Sequence, residues 1–81
     1  MESEAIRQRG NEEFTKGNFS LAADLYSRAI EFRPDNHLLF GNRAICFLRL
    51  GKYKNALCDG KKATILRSNY PKVRGFRIVI E

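Results

Sequence analysis

Apolar residues recur at helical spacing in four stretches of this chain. From about Ser3 to Lys16, Ile6, Gly10 and Phe14 return every fourth position. From about Phe19 to Arg33, Ala22, Leu25, Tyr26, Ala29, Ile30 and Phe32 fall largely on one side of a helix. The third stretch, about His37 to Leu50, is the most apolar, with Leu39, Phe40, Ala44, Phe47 and Leu48. The fourth, about Tyr53 to Arg67, carries Ala56, Leu57, Ala63 and Leu66, and its outer side is rich in lysine. No strand-like alternation competes before the last residues, so the pattern predicts an all-α chain.

The breaks between these stretches have a chemical logic. Gly17 ends the first helix and Asn18 is placed to cap the second. Pro34 stops the second, and Asp35-Asn36 can cap the third. Gly51 ends the third. Such short connections make neighbouring helices antiparallel. Small residues at Ala22, Ala29, Ala44, Ala56 and Ala63 let helix axes approach, with aromatics filling the gaps around them. The expected core is Ala22, Tyr26, Ala29, Ala44, Phe47 and Ala56.

The breaks also repeat. "GNFSLAADLYSRAI" from Gly17 is echoed 34 residues later by "GKYKNALCDGKKAT" from Gly51. A period of this length marks a solenoid, in which each unit buries its apolar face against the next. The pattern resembles the tetratricopeptide repeat. Gly10, Gly17, Phe19, Ala22, Tyr26, Ala29 and Pro34 match that family in the first unit, and Ala44, Gly51, Tyr53, Ala56 and Ala63 in the second. The resemblance implies a right-handed α-solenoid of antiparallel helix–turn–helix repeats. One domain over residues 1–81 would contain a first repeat at 3–36, a second at 37–70 and an incomplete third repeat or capping segment at 71–81. Arg9 and Arg43 stand where the family favours leucine, Gly60 replaces an aromatic and Ser68 replaces the closing proline.

Charge adds an asymmetry. Residues 1–40 hold five Lys/Arg and seven Asp/Glu, net −2, whereas residues 41–81 hold ten and two, net +8. A basic half favours an acidic partner: a peptide, a nucleic acid or an anionic surface. No apolar run has the roughly 18 residues of a membrane span, so no membrane association is expected. The first ten residues lack the apolar core of a signal peptide. Cys46 and Cys58 form neither a metal spacing nor a disulfide framework. A cytoplasmic or nuclear chain with reduced thiols follows, and a monomer is expected.

No catalytic arrangement is visible: His37, the lone histidine, sits at a helix start, and there is no phosphate loop or metalloprotease motif. Neither an enzyme nor a cofactor or metal is expected. The sharper signal is polar. Arg7 and Asn11 are four apart and share a helical face; Asn42 follows Asn11 by 31 residues and Lys72 follows Asn42 by 30. One class of tetratricopeptide domain grips the C-terminus of its partner with a carboxylate clamp, and "RQRGNEEF", "GNRAICFLRLGKY" and "YPK" resemble its three blocks. Arg7 would stand in for the first lysine. The closing arginine of the clamp falls on Phe76, with Arg77 one residue late and Arg74 nearby. The resemblance implies a peptide-binding site of Arg7, Asn11, Asn42, Lys72 and Arg77. Its ligand would be an acidic C-terminal tail, that of a cytosolic heat-shock chaperone first of all. Cations would neutralise the carboxylates and amides would donate to them. Two other readings compete: a scaffold segment of a longer protein with no peptide ligand, and nucleic-acid binding through Arg43, Arg49, Lys52, Lys54, Lys61, Lys62 and Arg67.

Overall fold

A computed structural model describes residues 2–68. They form four helices: α1 (Glu2–Thr15), α2 (Phe19–Phe32), α3 (His37–Arg49) and α4 (Tyr53–Ser68). Each packs mainly on its neighbours in sequence, α1 on α2, α2 on α3 and α3 on α4. The result is two helix pairs in series, joined through α2 and α3.

The same turn closes the first helix of each pair. After α1, Gly17 N–H donates to the Phe14 carbonyl at 3.0 Å and Asn18 N–H to Glu13 at 2.9 Å. After α3, Gly51 N–H donates to Leu48 at 3.1 Å and Lys52 N–H to Phe47 at 2.8 Å. This is the Schellman arrangement, which satisfies the last carbonyls of a helix and needs a left-handed residue. Gly17 and Gly51 supply it with φ of 87° and 79°. Asn36 caps α3, its side chain accepting from Leu38 N–H. Asn18 does not cap α2 in this way. Its amide turns back and donates to Glu13 Oε1 at 2.8 Å, and that bond holds the Glu13 carboxyl below its usual pKa.

The core lies along α2, where Ala22, Ala23, Tyr26 and Ala29 join Leu39 and Cys46 of α3. Ile6, Phe14, Phe19, Ile30 and Phe47 pack against its edges, so Phe47 is half-buried and not a core residue in full. Phe14 and Phe19 meet edge to face across the first turn, 5.2 Å between ring centres. The close approach of α1 and α2 centres on Gly10: a Cβ there would come within 2.8 Å of the Tyr26 ring.

In the second pair the equivalent positions are exchanged. Ala44 stands 34 residues after Gly10, and Gly60 stands 34 after Tyr26. A Cβ at Gly60 would meet nothing within 4 Å. The space that an aromatic fills in the first pair is a groove of about 850 Å³ in the second, lined by Ala44, Leu48, Tyr53, Leu57, Gly60 and Ile65 among others. Leu57 and Ile65 are accordingly 62% and 59% exposed. Leu57 belongs to the apolar pattern of the fourth stretch, but its face has no partner among the described residues.

Candidate functional site

Asn11 and Asn42 come from different helices, and the fold brings them to one place. With Phe14, Thr15, Tyr26 and Ile45 they line a cavity of about 250 Å³ between α1 and α3. Tyr26 of α2 forms its back wall. The Tyr26 side chain is only 1% exposed, and its hydroxyl donates to Asn11 Oδ1 at 2.5 Å. Burial pushes the Tyr26 phenol above its usual pKa, while the charge of Arg7 and a hydrogen bond from the Asn42 side chain pull it down. The phenol thus bonds one amide, shares its cavity with the other and feels the Arg7 guanidinium.

Arg7 is half-buried, one turn before Asn11 on α1, and is not in the lining of this cavity. Its guanidinium donates to both oxygens of Glu4 on the preceding turn of α1. That bonding raises the pKa of Arg7 and lowers that of Glu4. A bound carboxylate would compete with Glu4 for Arg7. Lys72, Arg74, Phe76 and Arg77 lie outside the described residues. Of the five residues expected from sequence, then, two line one cavity, one is its neighbour, and two are not described.

A second polar cluster was not foreseen. Arg43 clasps Asp59 of α4 with two bonds, Nε to Oδ2 at 2.6 Å and Nη2 to Oδ1 at 2.8 Å, and donates to Ser27 Oγ of α2 at 2.9 Å. Its guanidinium lies 5.6 Å from the ring centres of both Phe40 and Phe47. The leucine expected by the family is therefore replaced by a cation that ties three helices together. One signal in the sequence pointed to it: Asp59 is the single acidic residue between Asp35 and Glu81. Other basic side chains are also engaged with rings, Arg49 over Phe19 at 5.5 Å and Lys62 over Phe40 at 5.8 Å.

Among the described residues no group of His, Cys, Asp or Glu could hold a metal ion. No helix there is long and apolar enough to cross a membrane. Cys46 is buried, and burial raises its thiol pKa to about 11; Cys58 is exposed.

No family model matches the chain. Curated proteins do. It is 56% identical over 71 residues to "E3 ubiquitin-protein ligase TTC3" of Mus musculus, 88% of this chain and 4% of that protein. It is 38% identical over 70 residues to "Hsp70-Hsp90 organizing protein 2" of Arabidopsis thaliana, 86% of this chain and 12% of the relative. Over 67 residues it is 36% identical to "Protein STIP1 homolog" of Dictyostelium discoideum, 83% of this chain and 12% of the relative. The chain belongs to the tetratricopeptide-repeat family. Its two helix pairs, closed by the same turn at an interval of 34 residues, are tetratricopeptide repeats, and they correspond to a small part of each relative.

Proposed function

We propose that this tetratricopeptide segment is a protein-interaction adaptor, not an enzyme. Its α1–α3 groove takes the acidic C-terminal tail of a partner, a heat-shock chaperone tail foremost. The observation that carries the reading is the convergence of Asn11 and Asn42 on one cavity, with Arg7 alongside. Amides donate to a terminal carboxylate and can accept from the peptide backbone, and an arginine adds charge-assisted bonds. The relatives named for organizing Hsp70 and Hsp90 support the choice of partner. Lys72 and Arg77 are proposed to add charge from the following segment, in a monomer that works in the cytoplasm or nucleus.

Titration by calorimetry tests this. An acidic peptide ending Glu-Glu-Val-Asp should bind with its free carboxylate and lose most of its affinity when amidated. Asn11→Ala and Asn42→Ala should each weaken the free acid, by about 2–5 kcal/mol if the contact is desolvated. Equal binding of acid and amide would remove the reading.

A second reading rests on the groove of the second pair, which no described residue covers. Leu48, Tyr53, Leu57 and Ile65 make a face on which a further helix pair of a longer chain could stack, making the segment a scaffold. The two roles use different faces and are compatible. Nucleic-acid binding is the weaker alternative, because Arg43, one of its seven expected contacts, is held by Asp59 and Ser27.

A further inference from the structure

Resting on the carboxylate-binding reading above, we propose that Tyr26 is the positioning residue of the site. Its hydroxyl occupies Asn11 Oδ1 and thereby turns the Asn11 NH2 group toward the groove.

The argument begins with the chemistry of an amide. Asparagine has an acceptor end and a donor end of nearly the same shape. A carboxylate ligand only accepts, so the donor end must face it. An unrestrained side chain would present the wrong end part of the time, and setting it right would weaken binding. A group that takes Oδ1 from behind removes the choice.

Tyr26 meets the requirements for that group. It stands on α2, behind the two helices that carry the asparagines. Its ring is fixed: it is nearly fully buried, and α1 approaches so closely that even a methyl group on Gly10 would collide with it. The hydroxyl therefore cannot swing away. A phenol is protonated at neutral pH, hence a donor, and burial raises its pKa further. Asn42 lines the same cavity from the α3 side. The Tyr26 proton goes to Asn11, which leaves the phenol oxygen free to accept from the Asn42 amide and so to run one hydrogen-bond direction from Asn42 through Tyr26 to Asn11. In that order Asn11 shows the groove a donor, and Asn42 keeps its own carbonyl oxygen for a peptide N–H. The two asparagines then have different jobs, although their residue type is the same.

The simpler alternative is that Asn11 only satisfies a buried hydroxyl. Tyr26→Phe separates the two, since it keeps the ring and its packing and deletes only the oxygen. The 81-residue chain would be titrated with the Glu-Glu-Val-Asp peptide as free acid and as amide. The wild-type ratio of the two affinities tests the carboxylate reading itself. If that ratio is one, both the reading and this inference fail. If the wild type prefers the acid, Tyr26→Phe should cut free-acid affinity by roughly 3- to 10-fold, the usual worth of one hydrogen bond, and leave the amide nearly unchanged. In an Asn11→Ala background the same change should cause no further loss, because the tyrosine acts through that amide. An unaltered acid-to-amide ratio in Tyr26→Phe, or an equal loss with and without Asn11, would overturn the inference and leave the carboxylate reading standing.

Discussion

Position 10 has no room for a methyl group, and position 60 has room to spare. Both are glycines inside helices, where alanine is normally favoured by about 1 kcal/mol. At Gly60 that preference should act unopposed, and Gly60→Ala should stabilise the fold by about 0.5–1 kcal/mol. At Gly10 the new Cβ would drive against the Tyr26 ring, and such overpacking costs about 1–3 kcal/mol. Urea denaturation of the two variants should therefore give shifts of opposite sign. Titration offers a second check at this scale. The Cys46 thiol has its pKa raised from 9.0 to about 11 by burial, and the Tyr26 phenol is raised from 10.0, chiefly by burial too. In both cases the folded state favours the protonated form. The stability this represents is fully present below pH 9 and is lost as pH rises through about 11. Stability measured from pH 8 to 11 should decline, and Cys46→Ala should flatten the slope.

At the scale of the helix, Arg43 and Asp59 matter because neither alone belongs where it is. Asp59 is buried, and Arg43→Leu would restore the family residue while leaving a carboxylate without its cation. Breaking such a pair costs about 3–5 kcal/mol. Arg43→Leu combined with Asp59→Leu should recover most of that loss, since an apolar replacement of a buried pair is often neutral. Chemical denaturation of the two single variants and the double variant measures it. The pair also shows what the sequence could and could not convey. Helix ends were legible at Gly17, Pro34, Asn36 and Gly51 because local backbone chemistry decides them. The 34-residue echo made the all-α repeat architecture legible as well. Asn18 misled because a neighbour, Glu13, competed for its amide. The partners of Arg43 were hidden because they are 16 residues away on two different helices. The exposure of Leu57 was not legible, because periodicity reveals an apolar face but not whether anything covers it. At the candidate site, the spacing of Asn11 and Asn42 was visible in sequence; the phenol between them depends on how α2 packs.

Across the whole molecule, burial is uneven. α2 buries Ala22, Ala23, Leu25, Tyr26 and Ala29, whereas α4 buries Ala56 and Asp59. A solenoid is held by neighbour interfaces, so a helix with one interface is held less than a helix with two. A further helix pair fused after α4, with an apolar face complementary to Leu48, Leu57 and Ile65, should raise the melting temperature by several degrees. Coincident melts with and without the addition would show that the exposure of Leu48, Leu57 and Ile65 costs the fold nothing.

The exchange of a tyrosine for a glycine between the two pairs has a consequence in time. Without a ring at Gly60, α4 is held to α3 by Ala56 and the Arg43–Asp59 pair, and it should part from α3 before α2 unfolds. The molecule should therefore open in steps, in the order its interfaces are filled. Amide hydrogen exchange would record this as a gradient. Protons of α4 should exchange through a low-energy local opening, while those of α2 wait for global unfolding. The candidate groove is lined by residues of α1, α2 and α3 and by none of α4. A ligand seated there would meet a surface that stays formed while α4 comes and goes. Partner capture at one end and addition of further repeats at the other could then proceed on separate clocks.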